Sequence, residues 1–339
     1  MNAFTEFFQL MKTVTILRVI NLFKVWFSYY ISLLFRKVIH WGMPLSISIE
    51  PINRCNLSCP ECPTGAKKLQ RKVGAIPLTV FKNIIDQVYR KTFYLSLYFQ
   101  GEPYLHPELF TLISYARSKK MYVATSTNGH FLNEVNCAQT IDSGLNKLIV
   151  SIDGTTQETY EKYRIGGHLD SLIQGLQTLV NMKKELKSNL PLIEIQFIVF
   201  KHNEHQIDDI KKLAKQKGID RISIKRAQIY DFRTGNISIP ENNKYSRYKK
   251  TKEGTYVLKS KLYNHCWRSW HSCVITWDGL VVPCCFDKDA FHVSGNISDS
   301  SFQEIWKGTP FKQFREHILK NRKGIEICTN CIEGTKIRI

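Results

Sequence analysis

Between residues 45 and 226, short apolar runs alternate with longer segments of helical period. The first run, LSISIE at 45–50, alternates apolar and polar side chains as a half-buried strand does. Further runs at Leu95–Phe99, Tyr122–Ser126, Lys147–Ile152, Ile193–Phe200 and Arg221–Lys225 read as strands. Helical patterning fills Leu78–Tyr89, Glu108–Lys119, Leu169–Leu186 and His205–Lys217. Such alternation produces parallel βα units with the helices outside the sheet. Six units fit the space, too few for a closed eight-stranded barrel. Functional loops are then expected after the C-terminal ends of the strands.

The flanks break this rhythm. Residues 1–44 are rich in Phe, Leu, Ile, Trp and Tyr and carry Lys12, Arg18, Lys24, Arg36 and Lys37 against one acid, Glu6. A secretory signal fits badly, because the apolar run begins almost at Met1 and no small-residue cleavage site follows. A membrane span wants about 20 nearly uncharged residues, whereas the run Val19–Phe35 is broken by Asn21 and Lys24. The expectation is an amphipathic helical segment lying in the headgroup layer, against the alternative of a helix packed on the domain or on a partner. Residues 231–261 form a basic, polar connecting region whose lysines read as solvated. A second cysteine cluster occupies 262–339. With 339 residues, 43% hydrophobic and 23% charged, the chain is neither disordered, nor collagen-like, nor a polytopic membrane protein. Its 48 Lys and Arg against 29 Asp and Glu, a net charge of +19, favour anionic partners.

Ten cysteines in a chain of this length point to metal before disulfides. The sharpest signal is Cys55-x3-Cys59-x2-Cys62, directly after the first strand. Three thiolates on one loop hold three irons of a cubane and leave the fourth open to a small molecule. The competing reading is zinc, although closed zinc sites usually take four protein ligands.

With its flanking residues, CNLSCPEC resembles the signature of radical S-adenosylmethionine (SAM) enzymes. Three further segments match in order: Gln100-Gly101-Glu102-Pro103, Ser126-Thr127-Asn128-Gly129 and Ser151-Ile152-Asp153-Gly154. The resemblance implies an α/β fold, a partial (β/α)6 TIM-like barrel with a small C-terminal Fe–S domain. It implies that Gln100–Pro103 receives the methionine amino group, that Ser126 and Asn128 lie near the ribose, and that Ser151 and Asp153 line the site. Arg164 is the candidate for the SAM carboxylate. A sulfonium with a zwitterionic end does require a carboxylate, a guanidinium and exposed backbone groups. One departure is Glu61, where the family often has an aromatic residue before the third cysteine.

Cys266, Gly279, Cys284 and the pair Cys328-x2-Cys331 resemble the SPASM and twitch extensions of that family. The cysteines of a second auxiliary cluster are missing, so these four imply one fully ligated 4Fe–4S cluster suited to electron transfer. A structural zinc site is the alternative. Cys137 and Cys273 read as small buried hydrophobes. Cys285 stands where sulfatase-maturing members carry a catalytic Asp; it is the one weak catalytic candidate. The implied chemistry is reductive SAM cleavage followed by hydrogen abstraction, with electrons from an external donor such as flavodoxin or ferredoxin. A small-molecule, sugar or lipid substrate is favoured over a ribosomal peptide, because a winged-helix leader-binding domain has no room before Leu45. A non-catalytic scaffold or nucleic-acid protein is disfavoured, since neither needs an open iron. The expected location is cytoplasmic, peripheral on the inner face of the membrane.

Overall fold

The computed structural model describes residues 2–332; the last residues of the auxiliary region, 333–339, lie outside it. Two helices, α1 (Asn2–Met11) and α2 (Ile16–Phe35), precede β1 (Ser46–Ile49). The chain then runs through α3 (Leu78–Val88), β2 (Tyr94–Ser96), α4 (Leu109–Ser118), β3 (Tyr122–Thr127), α5 (Glu134–Asp142) and β4 (Lys147–Ser151). Next come α6 (Gln157–Glu161), α7 (Leu169–Glu185), β5 (Leu192–Val199), α8 (Ile207–Gln216) and β6 (Arg221–Arg226). All six expected strands form, and they pair in parallel from β1 to β6 in chain order. This is the partial barrel. The central strand β4 is buried at every position, whereas the edge strand β6, RISIKR, is half exposed. Cations on that edge discourage pairing with other chains. The helices α5 and α6 are too short to show a period, yet both begin at side-chain caps, Asn133 and Thr156.

The connecting region is more ordered than its lysines predicted. It holds the hairpin β7 (Tyr248–Lys250) and β8 (Tyr256–Leu258), and Tyr248 is buried against Phe232. Arg247 donates to Asn330 O and to Arg226 O, so it ties the hairpin to both the barrel and the C-terminal part. That part contains α9 (Arg268–His271), β9 (Ser272–Ile275), β10 (Leu280–Val282), β11 (Gly295–Asn296), α10 (Phe302–Lys307) and α11 (Thr309–Asn321). It joins the barrel's own sheet. β9 pairs parallel with β1, and β10 and β11 follow antiparallel, giving nine strands in the order β11-β10-β9-β1-β2-β3-β4-β5-β6.

The N-terminal helices pack beneath this sheet, at the N-terminal ends of the strands. Glu6 pairs with Lys147 and Arg221, which open β4 and β6. Arg18 is 3% exposed and donates to the carbonyls of Thr13, Tyr89, Lys119 and Lys120. Those carbonyls end α1, α3 and α4, where a guanidinium satisfies orphan acceptors and complements the helix dipoles. Asn21 exchanges hydrogen bonds with the Met43 backbone at 2.8 and 2.9 Å. Arg18→Ala is expected to destabilise the protein by about 3 kcal/mol, because several buried carbonyls lose their donor together; the urea midpoint measures it.

Candidate functional site

The parallel strands deliver their C-terminal loops to one face, and the singled-out residues gather there. Cys59 is buried, and Cys55 and Cys62 are half-buried, on the loop after β1. Burial pushes the Cys55 thiol up to about 11 and raises Cys59 as well. In the chain alone Cys55 and Cys59 are therefore neutral thiols, which ionise only against a strong cation. Donors already face the sulfurs. Asn128 Nδ2 lies 3.9 Å from Cys55 Sγ, Arg164 Nη1 lies 3.9 Å from Cys59 Sγ, and Leu57 N donates to Cys55 Sγ at 3.5 Å. Three soft ligands on one loop with donors aimed at their sulfurs fit an iron–sulfur cluster.

The turn after β2 is pressed against this loop. Gly101 adopts φ +78°, and a Cβ there would sit 2.4 Å from Ile52 O and 2.7 Å from Arg54 O. Only glycine fits. Gln100 accepts from Thr64 Oγ1 at 3.2 Å, and Glu102 N donates to Arg54 O at 2.8 Å. Pro103 opens a single buried turn. The Glu102 carboxylate accepts from Asn128 N at 2.7 Å and from Tyr104 N at 3.2 Å, bracing the β2 and β3 ends together. Burial pushes Glu102 up to about 7 despite these donors. Ser126 lies within β3, and Ser151, buried, closes β4. Asp153 is wholly buried; it accepts from Ile198 N at 2.6 Å and from Arg164 Nε at 2.7 Å. Burial opposes the charge on Arg164, but the ion pair with Asp153 outweighs it, so the guanidinium stays charged.

Glu61 has a job that the family pattern did not foretell. Its carboxylate accepts from Tyr230 N and Asn236 Nδ2, both at 3.3 Å, and so anchors the cysteine loop to the segment after β6. A second tie runs through Glu50 at the end of β1, which is buried and takes two hydrogen bonds from Arg71 at 2.7 and 2.8 Å. Arg71 Nε also donates to Lys288 O, and Asp289 accepts from Gln70 N, so the auxiliary loop is stitched to the barrel mouth.

The second cysteine set converges on a residue that sequence reasoning missed. Arg322 is 1% exposed, donates to Cys331 Sγ at 3.5 Å and to His265 O at 2.7 Å, and has Cys328 and Cys266 beside it. Cys266 and Cys328 pack in one apolar cluster with Phe314 and Ile318, and Cys284 is electrostatically linked to Cys266. Arg322 is one cation among 48 Lys and Arg, so only the fold distinguishes it. Thiols gathered around a buried cation fit an iron–sulfur cluster, whose negative charge Arg322 would offset. Cys137 and Cys273 are buried in the core, as expected. Cys285 is half-buried beside the Cys284 thiol.

The raised Glu102 has a measurable consequence for the chain without cofactors. Its folded value lies above its unfolded one, so the stability it contributes is full below about pH 4.5 and is lost as pH rises towards 7, about 3 kcal/mol over that window. Glu102→Gln is expected to flatten the fall in urea midpoint between about pH 5 and pH 8; an equal fall in both proteins would contradict it.

Comparison with known proteins meets the same two regions. Residues 49–214 match the model of the radical SAM superfamily, and residues 266–332 match that of SPASM, an iron–sulfur cluster-binding domain. Among curated relatives, the PqqA peptide cyclase of Gluconobacter oxydans is 26% identical over 80% of this chain and 79% of its own. The mycofactocin maturase MftC of Mycobacterium ulcerans is also 26% identical, over 80% and 77%. In fold, Streptococcus suis SuiB bound to S-adenosylmethionine superposes with a TM-score of 0.62 at 16% identity, covering 85% of this chain and 72% of SuiB. BtrN, solved with AdoMet and 2-DOIA, gives 0.54 at 18% identity, covering 86% and 94%. The cysteine loop that opens the first matched region and the thiols in the second agree with these matches, and this chain belongs to the radical SAM superfamily as an enzyme with a SPASM domain, its cofactors being 4Fe–4S clusters and S-adenosylmethionine.

Proposed function

We propose that this radical SAM enzyme modifies a peptide by removing hydrogen from it. The observation that carries the reading is the likeness to a peptide cyclase and a mycofactocin maturase over four fifths of the chain. The sequence had favoured a small molecule because no leader-binding domain fits before Leu45. That stretch does fold as two helices beneath the sheet, and the likeness to a peptide cyclase outweighs the argument from its length. A cleft of about 330 Å³ supports the peptide reading. It runs from Pro63, next to Cys62, to Thr329 and Asn330, between Cys328 and Cys331, with Tyr230, Phe286 and Phe291 along its walls. Its lining mixes aromatic rings with Arg233, Lys288 and Asp289, as a site for backbone and side chains together requires.

When bound and reduced, the cluster of this superfamily supplies the electron that splits SAM and yields a 5′-deoxyadenosyl radical able to take a hydrogen atom. In this chain Cys55, Cys59 and Cys62 would hold that cluster, and Asn128 and Arg164 would hydrogen-bond its ligands. Gln100–Pro103 would receive the amino end of SAM, with Glu102 supplying negative charge once ionised. Asp153 holds Arg164 in place, so the guanidinium is preorganised when a carboxylate arrives. A peptide that has lost one hydrogen atom must lose a further electron, and a proton to solvent, to become a neutral closed-shell product two hydrogen atoms lighter. Cys266, Cys284, Cys328 and Cys331 would hold the acceptor at the far end of the same cleft. Asp287 is no free base: it accepts from Phe291 N and His292 N at 2.8 and 2.9 Å and shapes the cleft wall.

Reconstituted protein is expected to carry about eight irons, and the triple variant Cys55→Ala, Cys59→Ala, Cys62→Ala about four, with 5′-deoxyadenosine formation abolished. Persistent SAM cleavage in that variant would refute the assignment. The substrate class is tested with short peptides encoded beside the gene, in the presence of SAM and a reductant. The expected result is a peptide lighter by two hydrogen atoms and deuterium transfer from labelled peptide into 5′-deoxyadenosine. Turnover stimulated by a sugar or lipid and by no peptide would overturn the reading.

A further inference from the structure

The second helix is turned inside out. Its buried face is Arg18, Asn21, Val25, Ser28, Tyr29 and Ser32, mostly polar, while its apolar side chains face outward. Of the 27 large apolar side chains exposed among the described residues, 17 fall within the first 41 positions. Phe23, Trp26 and Phe27 are each about half exposed, and Leu34 is 76% exposed. Isolated exposed apolar residues need no explanation, but such a concentration of them in one segment does. The charge around the patch has one sign. Lys12, Lys24, Arg36 and Lys37 are exposed, while Glu6, the one acid before Glu50, is committed to Lys147 and Arg221.

We propose that this face docks on an anionic lipid bilayer, with α1 and α2 lying in the plane of the headgroups. Aromatic rings flanked by cations are the composition that such a layer binds, through apolar insertion and attraction to anionic lipid. A second copy would bring two positive faces together. A membrane-crossing α2, which its length and composition would allow, would strip Arg18 and Asn21 from the carbonyls they satisfy. The face also fixes an orientation. The barrel groups that Glu6, Arg18 and Asn21 hold lie at strand starts or helix ends, and the Cys55–Cys62 mouth is at the opposite ends of the strands. The bound enzyme therefore turns its mouth away from the lipid, and its substrate arrives from water. The docking does not depend on the peptide reading.

The test uses the full-length reconstituted protein with vesicles of phosphatidylcholine alone or with about a third phosphatidylglycerol. The protein is expected to sediment with the mixed vesicles, to be released only in part by high salt, and to bind the neutral ones more weakly. The double variant Trp26→Glu, Phe27→Glu alters exposed positions, so iron content and SAM cleavage stay unchanged while vesicle affinity falls by about tenfold or more. Unchanged affinity in this variant would overturn the proposal. So would a wild type that ignores both vesicles and instead forms a dimer which the variant abolishes. SAM cleavage on vesicles at the rate seen in solution supports the orientation, and its suppression there would refute it.

Discussion

Strand β9 lies parallel to β1 although most of the chain separates them, and the register from Ser46↔Ser272 to Ile49↔Ile275 sets the rest of the site. The pairing covers what would have been an open edge of the barrel sheet. It also fixes the distance between the two cysteine regions, because both now hang from neighbouring strands of one sheet. The buried Glu50–Arg71 pair reinforces this at the mouth, where Trp277 N donates to the same carboxylate. A loosely tethered second domain would leave the path between the clusters to chance. Hydrogen-bonded backbone does not.

The mouth itself is built from charges held out of water. Glu50, Glu102 and Asp153 are nearly unexposed, and burying an ionised carboxylate is costly unless donors converge on it. Asp153 meets this cost with Arg164 and the Ile198 amide, and Glu50 with Arg71. Glu102 has only neutral donors within hydrogen-bond reach and so titrates near neutrality. Such a carboxylate is poised to ionise when a cationic group comes close. At the auxiliary site the buried charge has the other sign, with Arg322 held by His265 O among thiols.

The N-terminal segment joins two expectations that had been set against each other. It packs on the domain, through a polar stripe that satisfies carbonyls at helix ends. It also leaves an apolar face outward, which is the opposite of the amphipathicity of a helix on a water-soluble core. Tyr29 reaches Trp267 and Trp270, on either side of the start of the auxiliary segment, so the layer beneath the sheet touches both halves of the enzyme.

Local chemistry was legible in the sequence. Alternating apolar runs located six strands, because backbone pairing and burial act within a few residues of each position. The spacing of Cys55, Cys59 and Cys62, and the short segments at strand ends, announced the cofactors, since ligands on one loop must be close in the chain. What depends on distant partners was silent. Nothing in RSWHSCVI says that it will pair with LSISI, because strand pairing is chosen by the whole sheet. Glu61 looked like a lost aromatic until the fold brought Tyr230 and Asn236 to it. Arg18 and Arg322 were ordinary members of a basic chain until burial separated them from the others. A side chain carries its chemistry in the sequence, but its exposure and its partners are properties of the folded chain alone.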